Sequence, residues 1–199
     1  MMNKKIKNIT LLLLAATSLF AFKTATQEET FNVLKDKSKV QWIGRKTGGM
    51  HEGVVAIKSG SLTLDGDVIT SGTIVVDMTT VRATDTESKK LANHIKSEDF
   101  FNVSAYPESK IVITGSKVLG TDSLGITKLE VTGNMTILDK TNPITFIARN
   151  TGKSDLSRIY RANLTIDRTK YGITYKSSAL GNAYIKDNFE LKVKIAAKK

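Results

Sequence analysis

Thr84-Asp85-Thr86-Glu87-Ser88-Lys89-Lys90-Leu91-Ala92-Asn93-His94-Ile95-Lys96-Ser97-Glu98-Asp99-Phe100-Phe101-Asn102-Val103-Ser104-Ala105-Tyr106-Pro107 is the one helical-looking stretch between residues 26 and 199. Thr84 followed by Glu87 reads as a capping box, in which hydroxyl and carboxylate each satisfy a backbone N–H left over at a helix start. Leu91 and Ile95 stand four apart on one face, and Ser88, Lys89, Lys90 and Lys96 suit a wet one. Tyr106-Pro107 forces an extended exit, because a residue before proline disfavours the α region. Phe100, Phe101 and Tyr106 thus gather at the foot of a short amphipathic helix, which predicts a plug.

Outward from the plug, everything reads as β-structure. Lys39 to Gly44 alternates, with Val40 and Trp42 on one face. Thr47-Gly48-Gly49 signals a turn, Met50 to Ile57 is extended, Ser59-Gly60 reads as a break, and Asp65-Gly66 is a hairpin dipeptide. Gly72 to Met78 places Ile74, Val76 and Met78 on one side. Beyond Pro107, Lys110 to Thr114 is a strand, closed near Gly115. Lys128 to Ile137 alternates almost strictly, with Leu129, Val131, Met135 and Ile137 inward. Asp139 to Pro143 reads as a turn, and Ile144 to Ala148 returns with Phe146. Arg161 to Asp167 carries Leu164, Tyr171-Gly172 reads as a bulge, and Asn188 to Ile195 aligns Phe189, Leu191, Val193 and Ile195. Strands with one apolar face suit an antiparallel sheet whose inner faces meet. About eight of them close into a barrel with room for its own side chains or one slim ligand. Small inward residues (Gly133, Ala148, Ala162) beside large ones favour this all-β barrel, corked by the one helix, over a two-sheet sandwich.

Before the domain come Lys4, Lys5 and Lys7, an apolar run from Ile9 to Phe22, and a polar exit. That is the layout of a signal peptide over residues 1–25, cleaved near 21–25 and too short for a membrane span. It predicts export, to the periplasm or beyond. With no cysteine after the apolar run, it predicts no lipid anchor of that kind. Residues 26–199 form one domain. The net charge of +11 falls to +7 without residues 1–25, which hold four lysines and no acid. The remaining lysines are spread along strands and carry no nucleic-acid motif, so they read as solvated faces with an affinity for anionic membranes or ligands. The chain has no cysteine at all, which removes disulfides, thiolate catalysis and cysteine-type zinc sites.

His51-Glu52-Gly53, the Gly72–Met78 strand, the segment from His94-Ile95-Lys96-Ser97-Glu98-Asp99-Phe100-Phe101 to Tyr106-Pro107, Asn134-Met135-Thr136-Ile137, Tyr171-Gly172 and Ile185-Lys186-Asp187 occur in an order that resembles the YceI family. The resemblance covers about residues 30–196. It implies an extended, lipocalin-like antiparallel barrel whose lumen holds a polyisoprenoid or similar long-chain amphiphile. Members of that family typically open with Asp-Pro-Ala-His-Ser, where this chain has Asp36-Lys37-Ser38-Lys39 and no histidine.

On this reading the lumen is lined by Trp42, Ile74, Val76, Met78, Phe100, Phe101, Tyr106, Leu129, Val131, Met135, Ile137, Phe146, Leu164, Phe189, Leu191 and Val193. His51 and His94, the only histidines, are the candidates for holding a head group, with Arg45 or Lys96 adding charge. Two histidines without cysteines do not suggest a metal site. No Gly-x-Ser-x-Gly elbow is present, and the adjacent Glu98-Asp99 cannot face each other across a cleft. No catalytic residue and no cofactor are therefore expected. The partners expected are a long-chain lipid and, transiently, a membrane surface, with a homodimer also compatible and no nucleic acid. A lipid hydrolase or isomerase using His51, and an envelope stress protein with a filled core, are the alternatives.

Overall fold

The alternation of Thr127–Ile137 is realised residue by residue. Leu129, Val131, Met135 and Ile137 are buried, and Lys128, Thr132 and Asn134 are exposed. The computed structural model describes residues 27–178 and 184–199, so the expected signal peptide lies outside the described residues. The elements are β1 (Glu29–Val33), β2 (Lys39–Lys46), β3 (Gly49–Asp65), β4 (Val68–Ala83), α1 (Lys89–Lys96), β5 (Glu108–Thr121), β6 (Thr127–Ile137), β7 (Lys140–Ser154), β8 (Ser157–Asp167) and β9 (Ile185–Lys198).

All pairings are antiparallel, in the order β1-β3-β2-β9-β8-β7-β6-β5-β4, and β4 pairs back onto β3 to close the ring. β1 and β2 share one place in the wall, between β3 and β9. β1 pairs the far end of β3 (Phe31↔Leu62) and β2 its near end (Trp42↔Gly53). The barrel is thus eight-stranded and lipocalin-like, with one wall strand interrupted at a 3-10 turn, Lys35–Lys37. The gap is patched by side chain and backbone: Ala196 N donates to Ser38 Oγ (2.9 Å) and Leu34 N to the Ala196 carbonyl (2.8 Å). Closure removes the two long edges of an open sheet and pairs most of the wall's backbone groups within the wall.

Several local expectations are corrected. The helix starts at Ser88, whose Oγ accepts from Lys90 N (3.4 Å), not at Thr84. The Thr84 N–H is already spent on the Glu52 carbonyl (2.9 Å), which prolongs the β3–β4 pairing past Ala83. Ser59-Gly60 does not break β3; the register shifts between Ile57 and Ser59 and the strand continues. The turn expected over Asp139–Pro143 shrinks to Leu138 (φ 54°) and Asp139, with Ile137 paired to Lys140. Pro143 is tolerated inside β7 because that half of the strand pairs on one side only: β7–β8 pairing begins at Ala148↔Ala162. Tyr171-Gly172 is no bulge. It ends a 3-10 turn, Arg168–Tyr171, where Gly172 (φ 85°) supplies the left-handed cap.

Of the wall's glycines, Gly53 is the most tightly enclosed. A Cβ there would fall 2.0 Å from the Arg82 carbonyl oxygen and 2.4 Å from the Trp42 ring. Neither the strand backbone nor a packed indole yields cheaply. Gly53→Ala is therefore expected to lower unfolding stability by about 1–3 kcal/mol, the usual range for forced overpacking. Urea denaturation followed by circular dichroism measures it; an unchanged midpoint would show that the wall flexes here.

Candidate functional site

The inward faces of the strands do not meet. They enclose a cavity of about 280 Å³, with a wall that is almost wholly carbon. For scale, an engineered apolar cavity of roughly 150 Å³ stays dry and takes up benzene. β9 contributes the clearest column, Phe189, Leu191, Val193 and Ile195, as its alternation demands. Ala148 and Ala162 are paired with each other and both line the cavity, so small side chains stand opposite one another where the tube needs width.

One end is covered by α1. Leu91 and Ile95 point into the cavity, joined by Phe100 and Phe101, and Phe101 meets Phe189 edge-on at 6.4 Å. The cork is held by its own backbone, through Phe101 N to the Ile95 carbonyl (3.2 Å) and Val103 N to the Lys96 carbonyl (2.9 Å). The opposite end is solid: Phe31, Leu64 and Leu129 are at most 1% exposed and do not touch the cavity. All the residues expected in the lumen line it except two. Leu129 belongs to this floor, and Tyr106 does not line the cavity.

The four head-group candidates separate. Arg45 and His51 sit at the rim of the cavity at the helix end; His94 and Lys96 do not line it. Each already has a protein partner. Arg45 donates through Nε and Nη2 to Glu190 Oε1 (3.1 and 3.0 Å), and His51 Nδ1 lies 2.8 Å from Asp85 Oδ2. Lys96 Nζ donates to the Thr79 carbonyl (2.6 Å), which ties α1 to β4. His94 Nε2 lies 2.8 Å from Asp99 Oδ2, and its ring meets Phe100 and Tyr175 edge-on at 5.1 and 5.0 Å. His94 therefore stitches the cork to the loop after β8. Among the described residues, no group of three or more histidines and carboxylates could hold a metal.

Sequence reading missed Tyr160 and two buried arginines. All three lie on one inward column of β8 and its continuation, Arg158-Tyr160-Ala162-Leu164-Ile166-Arg168, every member of which is buried. The column was visible in principle, but a strand begun at Arg161 cuts off its first two members. Arg168 is bound by the carbonyls of Ile173 (2.8 Å), Ile185 (3.1 Å) and Lys186 (3.1 Å), and it pins the loop between β8 and β9. Burial lowers its pKa, and Asp187 and Asp167 oppose that. Burial pushes the Tyr160 phenol well up; the Arg158 charge opposes this and Asp67 adds to it. The Tyr160 hydroxyl and Trp42 Nε1 are buried without a hydrogen-bond partner among the described residues.

The family model for the YceI-like domain matches residues 31–197, which is the whole barrel. The chain belongs to the YceI family. A UPF0312 protein of Pseudomonas putida (strain W619) is 34% identical over 94 residues, 47% of this chain and 46% of that protein. Protein YceI of Escherichia coli O17:K52:H18 is 32% identical over 71 residues, 36% of this chain and 34% of that one. The chain thus spans less than half the length of the curated YceI relatives it matches. Solved structures extend the likeness at the level of fold. A polyisoprenoid binding domain from Saccharophagus degradans implicated in plant cell wall breakdown superposes with TM-score 0.67 at 11% identity, over 84% of this chain and 97% of that one. Burkholderia cenocepacia BcnA gives 0.63 at 18% identity, over 82% and 98%.

The rim pair has a readable pH signature. Burial acts to raise the Asp85 pKa. The hydrogen bond with His51, those of the Asp85 and Glu52 backbone, and the His51 charge outweigh it, so the carboxyl sits below its ordinary value. A depressed carboxylate contributes stability above its unfolded pKa, near 3.9 for Asp, and loses it as pH falls through the folded value. Asp85→Asn is expected to melt below the wild type at pH 7, with the gap closing as the pH falls below about 4. A gap that stays constant on acidification, read by differential scanning calorimetry, would remove the ionic contribution.

Proposed function

We propose that this chain is an exported, non-catalytic binding protein that carries or sequesters a polyisoprenoid or another long-chain amphiphilic lipid in its lumen. The observation that carries the reading is the cavity itself, a closed tube with a carbon wall, a solid floor and a side-chain cork. Such a space has nothing to offer a sugar, a nucleotide or a peptide, whose polar groups would enter unpaired. It suits hydrocarbon: each methylene moved from water into it contributes about 0.8 kcal/mol, so ten outweigh the several kcal/mol lost on association. The filled-core alternative conflicts with the open volume. The likeness in fold to the Saccharophagus degradans polyisoprenoid binding domain supports the same choice. The signal-peptide layout of residues 1–25 supports delivery to the periplasm, where a lipid moving between membranes needs a dry container.

Protein prepared from its own envelope is expected to yield a long-chain lipid on organic extraction, in near-equal amount to the chain. Met135→Trp and Ile137→Trp put an indole into the lumen from β6 and are expected to cut loading at least tenfold while the far-ultraviolet spectrum of the barrel persists. Undiminished loading of both variants would locate the lipid elsewhere. Chemical conversion of the extracted lipid by wild type, lost in His51→Ala, would turn the reading towards an enzyme.

A further inference from the structure

We propose that Tyr160 is the length gauge of the lumen: its ring is the blind end at which an inserted chain stops. The inference rests on the lipid reading above and adds which residue sets the size of what is taken. From the rim, the tube follows the inward face of β9 from Ile185 to Ile195, the residue paired with Tyr160. Ten residues at about 3.3 Å each, on a strand tilted roughly 40° to the barrel axis, make a tube of about 25 Å.

Beneath that level nothing is open. Phe31, Leu64 and Leu129 form the next layer and border no part of the cavity. Phe31 is held in that layer by Arg158, the residue two places before Tyr160 on the same face of β8. Its Cζ stands 4.7 Å from the centre of the Phe31 ring, and its Nη1 donates to the carbonyls of Ser154 and Ser157. Lys199 Nζ stands 5.6 Å from the centre of the same ring. A floor held by a buried cation, an aromatic face and strand carbonyls does not give way to one more methylene. Tyr160 shares the last ring of cavity-lining side chains with Leu62, Ile69 and Val131, and it is the largest of them, so its ring fills most of the space above the fixed layer.

The residue is also distinguishable from ordinary filling. It is 4% exposed, and its hydroxyl finds no hydrogen-bond partner among the described residues. Phenylalanine would occupy the same space without an unsatisfied hydroxyl, so Tyr160→Phe keeps the gauge and is neutral or stabilising. Smaller side chains deepen the tube.

The test uses the full chain and a graded set of probes: decanoate, tetradecanoate, octadecanoate, docosanoate and hexacosanoate, read by the fluorescence of Trp42, which is the sole tryptophan and lines the cavity. Affinity is expected to rise about fourfold per added methylene until the chain reaches Tyr160, and then to level off. In Tyr160→Ala the rise continues to longer chains before levelling; in Tyr160→Phe the break stays where it is in the wild type. Tyr160→Leu, a smaller truncation, carries the same expectation if the alanine variant does not fold. An identical break in the truncated variants overturns the gauge while leaving the lipid reading intact. A break that vanishes or shifts in Tyr160→Phe overturns it too, by making the hydroxyl a ligand contact. If no probe of any length alters Trp42, the lipid reading itself fails.

Discussion

The pairing of β3 with β4 governs the rest of the molecule. Without it the nine strands would form an open ribbon with two bare edges, and the apolar faces would have to collapse on one another to leave water. With it, most of each strand's backbone finds partners in the wall, so the interior need not be solid to be dry. An unfilled core costs stability in proportion to its volume. A closed hydrogen-bonded ring tolerates that cost because the hole cannot be removed without tearing the ring. The register shifts between Val54 and Ala56, Ile57 and Ser59, and Thr63 and Leu64 bend this long hairpin into the curve that closure requires.

The two ends of the tube are closed by different physics. At the floor, short turns such as Gly66 and the Ser154–Ser157 connection hold strands together, and the space between them is packed with side chains that no solvent reaches. At the other end the cover hangs on long excursions, Thr84 to Pro107 and the stretch between β8 and β9, and touches the barrel through a few contacts. Lys96 on the Thr79 carbonyl, His94 against Asp99 and Tyr175, and Phe101 against Phe189 are the main ones. Most of these are solvent-accessible and individually worth little. The asymmetry makes the helix end the cheaper one to open, by the general rule that segments with few buried contacts open first.

Much of this could be read from residues alone, and the reason is periodicity. A strand with one wet and one dry face writes its orientation into every second position, which is why the inward faces of β6 and β9 were legible even though β9 runs on at both ends, from Ile185 to Lys198. The cork was legible because Leu91 and Ile95 precede two phenylalanines where all else alternates. What failed was governed by events remote in sequence. The start of α1 moved from Thr84 to Ser88 because Glu52, a residue of another strand, takes the Thr84 N–H. Leu129 left the lumen for the floor because depth along a strand depends on where the opposite end is packed, and no periodicity records that. Tyr106 follows the cork in sequence but does not line the cavity. Arg158 and Arg168 were invisible as interior residues because a buried arginine is accepted only when backbone carbonyls are folded around it.

Those two arginines also bear on what the lumen can select. They stand at the two ends of one column of β8 and its continuation, and each is bound by backbone carbonyls. The rim charges are likewise spoken for: Arg45 by Glu190, His51 by Asp85. Exposed ion pairs of this kind contribute little to affinity, since water competes for both partners. Between the rim and the floor the wall is then almost wholly hydrocarbon, the Trp42 N–H and the Tyr160 hydroxyl excepted, and such a wall discriminates by volume and length more than by chemical detail. Selectivity in such a tube must come from where it ends and how wide it is at Ala148 and Ala162, and both of those are set by the backbone ring that β3 and β4 complete.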